Sequence, residues 1–149
     1  MIVDAHNHLG RPVGLWSAGQ TAEKLMQNMD KAGIDKAIAL PYIEYTDQIA
    51  DMNNYIVESV KKYPDRLVGF FVLCPWHKER ALKEFDRCVN ELRLKGLKLH
   101  PALHSYPLNS HSLLDPIFEK CAKAKIPILA HGQGDSPFNV PAQFGDMAD

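Results

Sequence analysis

The sequence predicts an α/β fold, specifically a TIM-type (β/α)8 barrel of which the chain holds about the first five βα units. Three observations lead there. Short apolar runs of β-type residues alternate with amphipathic helical stripes along all 149 residues, the pattern of βαβ units on a parallel sheet. The residues best suited to chemistry fall at the C-terminal ends of those runs, where a barrel builds its active site. The first turn, His6-Asn7-His8-Leu9-Gly10, lacks the glycine-rich phosphate cradle of a doubly wound sheet.

The elements follow in order. Ile2–His6 reads as the first strand. Leu25, Met26, Met29 and Ala32 recur at helical spacing, and Gly33 can end that helix. Ile34–Leu40 is the second strand, closed by Pro41. Met52, Ile56, Val60 and Tyr63 form the next stripe, halted by Pro64. Leu67–Leu73 is the third strand, with Pro75 after it. Ala81, Leu82, Phe85, Cys88, Val89 and Leu92 mark the clearest helix. Gly96–His100 is the fourth strand, ended by Pro101. Asp115-Pro116 suits an N-cap and first helical position, with Ile117, Phe118, Cys121 and Ala122 along that helix. Ile126–His131 is the fifth strand, and a last helix begins near Ala142.

A closed barrel of this kind needs about 250 residues. Five units fit here, so strands six to eight are expected to lie outside this sequence. Residues 1–149 read as a single domain, an incomplete barrel without a linker or low-complexity segment. An unpaired edge of buried parallel strand is sticky, so self-association into a homo-oligomer is one state this allows.

Composition narrows the function. Hydrophobic residues make up 46% and charged residues 23%, with a net charge of -1 and no basic run. Nucleic acid and acidic membrane surfaces are poor partners for such a chain; a small-molecule substrate suits it better. Cys74, Cys88 and Cys121 are odd in number and scattered, which argues against a disulfide framework or a zinc knuckle. With no signal peptide and no apolar stretch near a membrane span's length, a reducing cytoplasm is the expected setting.

The chemistry-bearing residues are histidines and a lysine. His6 and His8 are two apart, so on a strand their side chains share one face. Two imidazoles converging at a strand end can share a metal ion; the plainer alternative is a pair of turn histidines. Asp4 falls on the same face as a partner for them or as a packed polar residue. His131 ends the apolar run Ile126-Pro127-Ile128-Leu129-Ala130, and a ring placed there needs a partner, either a metal or a hydrogen bond. Lys98 and His100 alternate with Leu97 and Leu99. Lys98 could be a carboxylated metal bridge, a contact for a substrate anion or an internal ion-pair partner, and His100 a substrate contact. His77, His104 and His111 suit solvated or capping roles. Trp16, Tyr42, Tyr45 and Tyr106 fall in loops that could line a pocket or simply pack. No Ser–His–Asp or Cys–His arrangement stands out.

Several segments resemble a known family. Asp4-Ala5-His6-Asn7-His8 resembles the strand-one motif of the amidohydrolase superfamily. The amidohydrolase-related branch, which includes aminocarboxymuconate-semialdehyde and resorcylate decarboxylases, is resembled in four further runs. They are Met29–Ala37, Tyr63–Phe70, Lys95–Pro101 and Ile126–His131, in the family's order across nearly the whole chain. The resemblance implies a divalent metal, most often zinc, with His6 and His8 as strand-one ligands and His131 as the strand-five ligand. The family's strand-six histidine and strand-eight aspartate have no counterpart here; Asp135, Asp146 and Asp149 come too early. No catalytic acid or base is therefore assigned. Lys98 stands where binuclear relatives carry a bridging carbamate, but a single metal is usual in this branch.

The resemblance implies a metal-dependent hydrolase acting on a small ester, lactone or amide. The alternatives are a metal-dependent non-oxidative decarboxylase of an unsaturated or aromatic acid, and a non-catalytic metal-binding fragment. Fold alone does not choose among them.

Overall fold

A computed structural model of the chain describes residues 1–10, 20–42, 46–132, 137–138 and 140–148. Trp16, Tyr45, Asp135 and Asp149 lie outside the described residues. The chain forms two compact units, Met1–Val72 and Leu73–Asp149.

The first unit alternates strand and helix: β1 (Val3–Leu9), α1 (Ala22–Ala32), β2 (Lys36–Pro41), α2 (Ile49–Lys62) and β3 (Leu67–Val72). β1 pairs with β2 and β2 with β3, all parallel, as βαβ connections require. β1 runs three residues beyond its expected end. It also carries a bulge: from Asp4 to Asn7 it advances three residues while β2 advances only two, from Ala37 to Ala39. The extra residue shifts the alternation of faces.

α1 begins on Thr21, whose hydroxyl accepts from the Lys24 N–H, and buries Ala22, Leu25, Met26 and Met29. Ala32, the last residue of the expected stripe, is exposed. Gly33 ends the helix at φ 68°, donating its N–H to the Met29 carbonyl. The next residues close the turn, so β2 starts two residues later than expected: the Ile34 N–H also reaches the Met29 carbonyl. Arg66 clamps this corner, donating to the Asp35 and Ile34 carbonyls at 2.8 and 3.0 Å and to the Asp30 carboxylate at 2.9 Å.

α2 turns a different face inward than the expected stripe. Ile49, Asn53, Ile56 and Val57 are buried, whereas Met52 and Val60 are half-buried. Asn53 is fully buried. Its amide nitrogen donates to the Val72 carbonyl at 3.1 Å and its oxygen accepts from the Val72 N–H at 2.9 Å. That bonding offsets the cost of burying a polar side chain and fastens the helix to the end of β3.

The second unit contains α3 (Glu79–Asp86), β4 (Gly96–Leu99), α4 (Pro101–His104), α5 (His111–Ala124), β5 (Ile128–Ala130) and α6 (Pro141–Ala148). α3 buries Ala81 and Phe85 and continues through a wider, π-type turn over Arg87–Glu91. All four residues of β4 are buried, as suits a parallel strand covered on both faces. β4 pairs parallel with β5, with Leu97 opposite Ile128, Lys98 opposite Leu129 and Leu99 opposite Ala130. The ladder continues past both ends of β5: Leu97 N–H donates to the Pro127 carbonyl and His131 N–H to the Leu99 carbonyl, both at 2.9 Å.

The start expected for α5 is corrected. The helix begins at His111 on Ser110 as N-cap, and Pro116 lies inside it. The Leu113 and Leu114 N–H groups both reach the Ser110 carbonyl, so the first turn is already formed before Asp115. Pro116 then forfeits a single helical hydrogen bond near the start. The short helix α4 was not foreseen from the sequence; Pro101 opens it rather than merely ending β4.

Candidate metal centre and other polar residues

His6 and His8 come together at the end of β1. Their Nε2 atoms are 3.0 Å apart and their ring centroids 5.0 Å apart. His8 Nδ1 lies 2.9 Å from the Pro41 carbonyl oxygen. A carbonyl only accepts, so Nδ1 carries the proton of the neutral ring, and the Nε2 lone pair is left facing His6. A backbone carbonyl fixing one ring nitrogen while the other meets a metal is the usual support of a histidine ligand. Two nitrogens each about 2.0–2.1 Å from one ion sit roughly 2.8–3.4 Å apart, for ligand angles from about 90° to tetrahedral. The observed separation falls inside that range, so the pair fits one divalent ion.

Local structure holds the pair in place. Tyr42 packs edge-on against the His8 ring, with centroids 6.1 Å apart at 82°. A Cβ on Gly10 would stand 2.8 Å from the Tyr42 Cβ, so the close approach of this tyrosine requires a glycine there. Asp4 does not serve as a partner of the imidazoles. Its carboxylate accepts from the His6 main-chain N–H at 3.1 Å, because the bulge brings that N–H to its own upstream side chain.

In the second unit, His100 and His131 stack at 3.9 Å between centroids, 15° from parallel. His100 caps α4: its Nδ1 accepts from the Leu103 N–H at 3.2 Å, so the proton of the neutral ring sits on Nε2. His131 is half-buried and follows β5 directly.

Lys98 is 0% exposed, and its Nζ has no hydrogen-bond or carboxylate partner among the described residues. The internal ion pair considered from the sequence is thus not formed among them. Burial lowers its pKa to about 8, because a charged ammonium is poorly solvated there.

His104 is corrected from solvated to buried, at 5% exposure. Burial, with a lesser contribution from His77, lowers its pKa to about 4. The backbone carbonyl of His104 accepts from Trp76 Nε1 at 2.8 Å. Tyr106 is fully buried and packs rather than lining an open pocket. His77 ends a single turn and is half-buried, and the exposed His111 pairs with Asp115 at 3.2 Å.

Among the described residues, no group of three or more His, Cys, Asp or Glu side chains is gathered to hold a metal ion. Among the described residues the histidines thus come as two separate pairs, His6–His8 on β1 of the first unit and His100–His131 just past β4 and β5 of the second. The Pro41 carbonyl that fixes His8 was missed in the sequence, and the packing of Tyr42 on the His8 ring was not specified there. A carbonyl has no sequence signature, and Tyr42 carried only the signal of an aromatic in a post-strand loop.

The amidohydrolase family model matches residues 3–149. The chain belongs to the amidohydrolase family. Over 80 residues, 54% of its length, it is 31% identical to the 2-amino-3-carboxymuconate-6-semialdehyde decarboxylase of Dictyostelium discoideum, of which the match covers 22%. Among solved structures it is similar to the 5-carboxyvanillate decarboxylase of Novosphingobium aromaticivorans with bound manganese. That match has TM-score 0.65 and 26% identity, over 73% of this chain and 34% of that enzyme. It is also similar to 2,6-dihydroxybenzoate decarboxylase from Rhizobium, with TM-score 0.70 and 18% identity over 97% of this chain and 53% of that one. The fold of this amidohydrolase chain is therefore that of the TIM-type barrel enzymes, as the strand–helix pattern predicts. The chain spans well under two thirds of these relatives. Among the described residues no helix is long and apolar enough to cross a membrane.

Proposed function

We propose that this chain is part of a metal-dependent decarboxylase that removes CO₂ from an unsaturated or aromatic carboxylic acid. The observation that carries the reading is the His6–His8 pair, with Nε2 atoms 3.0 Å apart and His8 anchored on Pro41. His6 and His8 would hold a divalent ion, and His131, matching the family's strand-five motif, would be the third protein ligand. Lyase rather than hydrolase is favoured because the relatives at 31% and 26% identity are both decarboxylases. When bound, the ion supplies positive charge that holds a substrate oxygen and offsets negative charge developing as the carbon–carbon bond breaks.

The chain's own residues prepare that site. The Pro41 carbonyl keeps His8 in the tautomer whose Nε2 lone pair is directed at the ion. Tyr42 limits rotation of the same ring. The capped Nδ1 of His100 keeps that ring's proton on Nε2, where it can meet a substrate oxygen. Zinc is the ion the sequence motif implies, while manganese is the ion held by the carboxyvanillate enzyme; metal analysis of purified protein reads which is carried.

The test is product analysis with metal-loaded protein and a panel of hydroxybenzoates and muconate-type acids. CO₂ release, with a product one carboxyl group smaller, is expected. Uptake of water into an ester, lactone or amide would restore the hydrolase reading. A protein that keeps its metal but turns over none of these would be a metal-binding fragment.

A further inference from the structure

We propose that Lys98 forms an anion-binding site that takes the carboxylate of the substrate. The site lies on the β4–β5 face that also carries the stacked His100–His131 pair. This rests on the decarboxylase reading for the substrate class, but its evidence is separate.

Lys98 is wholly buried, and its Nζ has no partner among the described residues. Buried charges in proteins are ordinarily paired. Burial without a partner makes the ammonium costly to hold charged and lowers its pKa to about 8, so an anion at Nζ would supply the counter-charge that the described residues lack.

Register places this cation beside the chemistry. Lys98 lies opposite Leu129 in the parallel ladder. Two residues on, the rings of His100 and His131 stack at 3.9 Å, so these positions share one face of the two strands. Side chains repeat every second residue along a strand, about 7 Å apart. Lys98 therefore stands one side-chain step below the imidazole pair. A carboxylate bound at Nζ would thus lie on the strand face that carries those rings. Lysine binds such a group as a point charge and imposes no bidentate geometry, so the site selects for charge more than for shape.

The test is equilibrium binding to metal-loaded protein of 2-hydroxybenzoate and its neutral analogue 2-hydroxybenzamide. The unmodified protein should prefer the carboxylate. Lys98→Met should weaken carboxylate binding about 10- to 100-fold, the worth of a charge-assisted contact, with little change for the amide. Lys98→Arg should retain most of the preference. Should Lys98→Met fail to fold, Lys98→Gln carries the same decision: it should lose the preference for the benzoate over the amide. Equal carboxylate affinity in the Lys98 variant and unmodified protein, or absence of carboxylate binding, would overturn the proposal. Turnover separates the two readings. Binding through Lys98 without CO₂ release sinks only the decarboxylase reading, and CO₂ release with Lys98-independent binding sinks only this one.

Discussion

Asn53 in the first unit and Lys98 in the second are both 0% exposed, yet the fold treats them in opposite ways. Asn53 commits both ends of its amide to the Val72 backbone. Lys98 commits its charge to nothing among the described residues. Both are polar side chains on buried faces, so burial alone does not distinguish structure from function. Satisfaction does: a buried polar group with all its bonds made is a fastener, and one without them is a candidate for a ligand. The histidine pairs divide similarly. His8 is fixed by a carbonyl and faces a second ring nitrogen, an arrangement a metal can use. His100 and His131 are fixed face to face.

The comparison can be broken most decisively at the metal. His8→Ala should reduce divalent-metal affinity by more than about 100-fold, since removing a ligand should exceed the 10- to 100-fold cost of losing its supporting hydrogen bond. Stoichiometry by elemental analysis after dialysis checks this. Full metal occupancy in both His6→Ala and His8→Ala would remove the strand-one pair from the site.

Asn53→Leu tests the fastener. It strands the Val72 N–H and carbonyl in the interior, so unfolding free energy should fall by about 3 kcal/mol. Chemical denaturation measures it, and a loss below about 1 kcal/mol would mean that Asn53 is not holding α2 to β3.

Lys98→Met should act in the other direction. The folded-state pKa of about 8 lies below the ordinary lysine value of 10.5, so between these values the unfolded chain binds more protons than the folded one. Stability should therefore rise as pH goes from about 8 to 10.5, by about 2–3 kcal/mol. In the Met variant that rise should be smaller, and at pH 7 the variant should be at least as stable as the unmodified protein. Melts across the pH range read both. A variant clearly less stable at pH 7 would reveal a counter-charge for Lys98.

The smallest effect belongs to a backbone position. Gly33 has φ 68° and nothing within 4 Å of where a Cβ would sit. Gly33→Ala should thus cost only left-handed backbone strain, about 1 kcal/mol, seen as a modest drop in denaturation midpoint. A much larger loss would mean that β2 depends on this turn more than its hydrogen bonds indicate.

The alternation of strand and helix, the helix end at Gly33 and the pairing of His6 with His8 were legible in the sequence, and so was the family. Each is written in local periodicity or in a short motif, and none needs knowledge of what the chain folds against. Other features had no such signature. The bulge in β1 depends on the register with β2, and it turned Asp4 from an expected partner of the histidines into an acceptor for the His6 N–H. Asn53 sits inward because β3 supplies the Val72 backbone it bonds, which no helical stripe of apolar residues reveals. His100 caps a short helix that Pro101 opens just past a buried strand end. Lys98 reads in sequence as three alternatives, and the absence of a described partner speaks only against the internal ion pair. Periodicity records which face a residue occupies; its partners, and so its pKa and its role, come from segments distant in sequence that folding brings alongside.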